Sequence, residues 1–166
     1  MAEITTPREL FLHELGDILY VEQQLAEEVL PMLINDVTLD EFRKALEKHL
    51  DETRGHITNL EQVFDLMGES PTVEKCIGFE GLKKEHEELV GKVSPDLREG
   101  VHAGAVARTE HYEIAAYSGL IEKARALGEQ SAVTLFEENL KQEREALRNA
   151  ESIEKALRDE LKTAAS

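Results

Sequence analysis

The chain has 166 residues, enough for one domain of ordinary size, and a chain this long buries roughly 68–70% of its unfolded surface without disulfide staples. Lys and Arg number 19 against 35 Asp and Glu, for a formal charge of −16, which argues against a nucleic-acid or anionic-membrane partner. A single cysteine, Cys76, rules out a disulfide framework or a cysteine-rich zinc site. No apolar run reaches the roughly 18 residues of a membrane span, and the opening residues carry no signal-peptide pattern. The expectation is a cytoplasmic protein.

Glu, Leu, Ala and Lys are abundant and no alternating stretch is long enough for a strand, so the chain is expected to be all-α. Thr6 followed by Pro7 reads as an N-cap and first helical residue. It opens a helix over 7–34 whose last turn Pro31 should kink. Thr38 and Glu41 have capping-box spacing and open a second helix over 39–67, which stops at Gly68. The connection that follows is interrupted by Pro71, Gly78, Gly81 and Gly91, with a short helix over 79–90. Ser94-Pro95 opens a third long helix over 95–127, ended by Gly128 in the left-handed conformation, and a fourth covers 131–162. Two helical hairpins joined by one long crossover are the ferritin-like form of a four-helix bundle, here as a single domain over 1–166.

Each helix carries an apolar seam at spacing three and four, and acids interrupt every seam near its middle. Glu22, Glu110, Glu113 and Glu143 stand where core residues belong, and Glu52 lies at the seam edge one turn before His56. A buried unpaired carboxylate costs several kcal/mol. Counted from the hairpin turns, Glu22 matches Glu52 and Glu113 matches Glu143; at about 1.5 Å per residue the mismatch is a few ångströms. One layer should therefore gather these carboxylates with His56, and protons or cations must neutralise them. Hard oxygen donors with one or two imidazoles suit iron or manganese, and two metals balance four or five carboxylates.

The other polar residues are secondary. His49 lies one turn before Glu52 on the same face and reads as a residue packing against or bonding a neighbouring carboxylate, with a direct ligand role as the alternative. Tyr117, one turn beyond Glu113, is placed to hydrogen-bond a ligand. His111 points about 100° away from Glu110. Glu99-Gly-Val-His102 is a literal Glu-x-x-His but falls outside the layer. His13 and His86 have no companions, and Cys76 reads as an inert thiol in the crossover.

Pro7-Arg-Glu-Leu-Phe, Leu19-Tyr-Val-Glu-Gln-Gln-Leu, His49-Leu-Asp-Glu-Thr, Leu60-Glu-Gln-Val-Phe, Glu80-Gly-Leu and, most specifically, Glu110-His-Tyr-Glu-Ile-Ala-Ala-Tyr resemble the YciE/YciF family of ferritin-like bacterial stress proteins. The resemblance covers nearly the whole chain. It implies a di-metal-type bundle, a homodimer, and ferroxidase-like chemistry on small oxidants. Against the general di-iron pattern of two Glu-x-x-His pairs, Glu52 and His56 are four apart rather than three. The position three after Glu143 is Ala146, so a second histidine is missing there; Glu113 is expected to compensate with oxygen. The expected ligands are Glu22, Glu52, His56, Glu110, Glu113 and Glu143 on a di-iron centre, or on manganese. Two rival readings are a non-catalytic helical dimer and a manganese-type peroxide-dismutating enzyme.

Overall fold

The computed structural model describes residues 3–164. Thr6 caps the first helix through a capping box: its hydroxyl accepts from the Glu9 N–H, and the Glu9 carboxylate accepts from the Thr6 N–H. The helix runs as α1 (Pro7–Gln24), a π-helical turn (Leu25–Val29) and α2 (Leu30–Asp36). The irregularity expected at Pro31 is therefore displaced toward the N-terminus. Pro31 has no N–H and its ring crowds the carbonyl four residues earlier. Widening the preceding turn, with the Leu30 N–H bonded to the Leu25 carbonyl, accommodates it without a break.

The second long helix, α3 (Asp40–Leu66), starts without the expected capping box. The Thr38 hydroxyl donates instead to Glu99 Oε1 at 2.6 Å, and the Leu39 N–H donates to the same oxygen at 3.0 Å. A carboxylate from another helix thus replaces the local cap. Glu99 lies in the first turn of α5 (Arg98–Leu127), which follows a 3₁₀ turn at Pro95–Leu97. Because α3 and α5 start at the same end, the crossover between them must run back along the bundle. It carries α4 (Ile77–Val90), whose N-terminus is capped by the Cys76 thiol accepting from the Phe79 N–H at 3.3 Å. The last helix is α6 (Gln130–Ala164).

Packing follows from these connections. α1 lies against α3 and α5, and α6 lies against the same two, so the order around the bundle is α1, α3, α6, α5. α4 packs on the outside of α5. Among the described residues there is no strand, and the arrangement is all-α, as the ferritin-like bundle requires. Gly68 and Gly128, with φ of 70° and 80°, end α3 and α5 in the left-handed region that a side chain disfavours. The core is aliphatic and aromatic from Phe11 and Phe136 at one end to Leu33 and Phe42 at the other, interrupted midway by buried acids and imidazoles.

Candidate metal centre

Glu22 from α1, His49 and His56 from α3, Glu110 and Glu113 from α5 and Glu143 from α6 are all buried, and their donor atoms converge. They form two groups. His49, Glu110, Glu113 and Glu143 make one; Glu22, His56 and Glu143 make the other. Within each, one donor atom per residue lies within 4.8 Å of all the rest. Glu143 belongs to both.

The Glu22–His56 side is well partnered. His56 Nδ1 lies 3.2 Å from Glu22 Oε1 and 2.9 Å from Glu143 Oε1. The contact with Glu143 is close enough to pair ionically but is not aligned as a hydrogen bond. The other ring nitrogen donates its N–H to Gln142 Oε1 at 2.8 Å. The Tyr117 hydroxyl donates to Glu22 Oε1 and accepts from Asn139 Nδ2 at 3.1 Å. Asn139 is held in turn by Asn59, at 2.7 Å. Burial opposes a charge on His56, but the Glu22 and Glu143 carboxylates outweigh it and push the imidazole up to about 11. The balance favours a protonated His56 ring beside Glu22.

The other side has no such partners. His49 Nε2 lies 3.1 Å from Glu110 Oε1 and 3.9 Å from Glu143 Oε2, yet neither ring nitrogen has an aligned hydrogen bond. Glu110 Oε2 and both carboxylate oxygens of Glu113 and Glu143 are also buried without one. Burial, with the nearby Glu22 charge adding to it, raises Glu110 to about 7. Burial and the neighbouring carboxylates hold Glu113 and Glu143 well above the usual carboxylate range. Buried polar atoms are rarely left unpaired. A set of hard oxygens and imidazole nitrogens converging without partners fits a bound cation, and the residues present suit one.

Glu52 does not join either group. Its carboxylate, at the bundle rim, accepts from Lys48 Nζ at 2.7 Å and comes no nearer than 4.0 Å to His49. Lys48, one helical turn earlier, spans Glu52 and Glu145 and pairs with both at the surface. His49 stands in the donor group where Glu52 was expected. Asn139 and Gln142 were not singled out from sequence; both lie one turn or less from Glu143 on α6, and that proximity was the available signal. His111 is exposed, and Glu99 and His102 lie outside the layer.

His86, expected to stand alone, does not. Its Nε2 lies 2.9 Å from His102 Nδ1, and His102 Nε2 lies 2.9 Å from Asp36 Oδ2. Cys76 is buried, and its Sγ lies 2.9 Å from the Tyr112 hydroxyl.

The bundle and its buried acid layer define a ferritin-like protein with a candidate metal site. The family model described as a domain of unknown function, DUF892, matches residues 6–165, and the chain belongs to that family. Protein YciF of Escherichia coli strain K12 is 31% identical over 141 residues, 84% of each chain. The crystal structure of the E. coli stress protein YciF superposes with a TM-score of 0.87 at 28% identity, covering 94% of this chain and 99% of that one. YcfI of Rhodopseudomonas palustris, proposed to be a structural protein, gives 0.86 at 35% identity, covering 90% and 95%. A Xanthomonas campestris protein at 23% identity, with a TM-score of 0.68, shares the fold. No described helix is long and apolar enough to cross a membrane.

Proposed function

We propose that the chain is a di-metal carboxylate protein, with iron as the metal and manganese as the alternative, that oxidises Fe(II) with oxygen or peroxide in protection against oxidative stress. The observation that carries this reading is the set of buried donors without partners, arranged as two groups sharing Glu143. A bound metal pair would supply the redox chemistry. Glu143 would serve both positions, Glu22 and His56 one, and His49, Glu110 and Glu113 the other. The protein's own contribution is orientation. Gln142 holds His56 by Nε2–H, so Nδ1 faces inward, and Tyr117 fixes Glu22. Ligation displaces protons from His56 and the acids, which couples binding to pH. Leu, Phe and Val side chains above and below the layer exclude water. The description of the E. coli relative as a stress protein supports the physiological reading. A homodimer is expected from the family resemblance, and light scattering checks it.

The test is aerobic addition of Fe(II) to metal-free protein. Oxidation should be faster than in buffer, and Glu110→Ala should remove the acceleration. Equal rates with and without protein would favour a second reading, a non-catalytic helical scaffold whose polar layer sets register. That reading is supported by the imidazolium of His56, which already neutralises part of the layer, and by the structural role proposed for the R. palustris relative. Metal content of protein purified without chelators separates the two. Oxygen release from peroxide would point to manganese-type dismutation instead.

A further inference from the structure

Beside the acid layer, the π-helical turn, α2, α4 and α5 enclose a cavity of about 190 Å³. Its walls are apolar, with Leu25, Val29, Leu33, Phe79 and Leu82 prominent, and Glu110 lies at its inner end. A dry apolar cavity of about 150 Å³ suffices for benzene. Of the charged residues at the rim, Glu28 and Lys83 neutralise each other in an ion pair. The polar residue of interest in the wall is His86.

The direction of its hydrogen bonds can be deduced. Asp36 is a carboxylate and can only accept, so His102 Nε2 donates. With a single proton on its ring, His102 accepts at Nδ1, and His86 Nε2 donates to it. That leaves His86 Nδ1 as an acceptor. Burial lowers His86 to about 4, helped by Arg108 and by the positive charge His102 takes on in acid, so its ring is neutral at neutral pH. A ligand head group must therefore donate a hydrogen bond. An anion would meet the acidic side chains of Glu87 and Glu110 in the lining, and a carbonyl or ether would face an acceptor.

We propose that this cavity binds a small apolar molecule bearing a hydroxyl, an alcohol or a phenol, with the hydroxyl donated to His86 and the carbon body packed against the π-helical turn and α4. Asp36 acts as a positioning residue: through His102 it sets which way His86 presents its nitrogen. The site does not require metal, so its test is independent of the metal reading.

The experiment is calorimetric titration of metal-free protein at pH 8 with cyclohexanol, phenol, cyclohexanone and cyclohexanecarboxylate. Cyclohexanol and cyclohexanone have nearly the same shape and differ in whether the oxygen donates. One hydrogen bond is worth about a factor of ten in affinity. Cyclohexanol should bind one to one, about tenfold more tightly than cyclohexanone, and the carboxylate should bind weakest. The cyclohexanol-to-phenol ratio tells which hydroxyl class the pocket prefers. Leu82→Trp, a rim substitution that fills the cavity, should abolish binding while the helical circular dichroism is retained. Asp36→Asn leaves the cavity walls intact but can donate to His102, so the alcohol preference should vanish or reverse. Equal affinity for alcohol and ketone, a preference that survives Asp36→Asn, or unchanged binding in Leu82→Trp overturns the proposal.

Discussion

The two halves of the acid layer share Glu143 but not their electrostatic state. Around Glu22 and His56, every donor has a charge or hydrogen-bond partner: the imidazolium, Tyr117, Gln142 and Asn139. Around His49, Glu110 and Glu113, buried oxygens and nitrogens converge without an aligned hydrogen bond, the closest approach being His49 Nε2 to Glu110 Oε1 at 3.1 Å. The first half carries its own substitute cation in the form of a proton on His56. In the second, burial and like charge favour the protonated carboxyls instead. A buried charge needs either a partner or neutralisation, and the bundle uses both solutions within one layer. A metal entering the His49 side competes with protons on carboxyls, whereas one entering the Glu22 side must also displace a tightly held imidazole proton. The His49 side should therefore fill first.

The largest effect that would break this comparison comes from His56→Ala in metal-free protein. Removing one partner of a buried ion pair leaves the carboxylates uncompensated and costs about 3–5 kcal/mol. Urea unfolding in chelator should show that loss. A loss below about 1 kcal/mol would mean that His56 is not the cation of its half.

Next in size is pH. Glu110 rises from its ordinary 4.5 to about 7 on folding, chiefly through burial, so the folded state holds the proton more tightly than the unfolded chain. Its contribution is complete below pH 4.5 and is lost as pH rises toward 7. A shift of that size corresponds to roughly 3 kcal/mol. His56 has the same sign: its stabilisation fades as pH climbs above 6.5 toward 11. Metal-free protein should accordingly melt higher at pH 5 than at pH 7.5, after allowance for surface groups measured in a Glu110→Gln variant. Saturating metal should flatten or invert that slope.

The smallest effect sharpens the comparison. Glu113→Gln replaces a carboxyl that must take up a proton on folding, because burial and the neighbouring carboxylates disfavour its charge, so near neutral pH it should stabilise metal-free protein by about 1 kcal/mol, or roughly 2–4 °C. The same variant should lose the stabilisation that metal confers. A fall in melting temperature would show that Glu113 has a partner.

How far the sequence revealed this site depends on which contacts are periodic. The seam of α3 runs Phe42, Leu46, His49, Thr53, His56, Leu60, Val63, all buried. A strict heptad passes through His49 and Thr53 and leaves Glu52 about 100° from Thr53, at the edge of the seam. Glu52 drew attention because an acid one turn before a histidine resembles a ligand pair, but Lys48 at i−4 was the competing signal. Glu22, Glu110, Glu113 and Glu143 were legible because each replaces an apolar residue at seam spacing. The Asp36–His102–His86 chain was not, since it joins α2, α4 and α5 and no local pattern fixes how α4 lies on α5. Nor was the approach of the crossover to α1 legible. At Gly16 an added Cβ would meet the Thr72 carbonyl oxygen at 2.8 Å, and the Gly16 carbonyl accepts from the Glu74 N–H. The replacement of the Thr38–Glu41 capping box by Glu99 is of the same kind: a tertiary contact outcompeted a local one.

The central claim, that the layer is a two-metal site hinged on Glu143, is tested most directly by anaerobic calorimetric titration of chelator-stripped protein with Mn(II) at pH 7. The account predicts two ions per chain, one remaining in Glu22→Ala and none in Glu143→Ala, with an observed heat that varies with the buffer's ionisation enthalpy, as proton release requires. No saturable binding to the parent chain, or two ions still bound by Glu143→Ala, would contradict it.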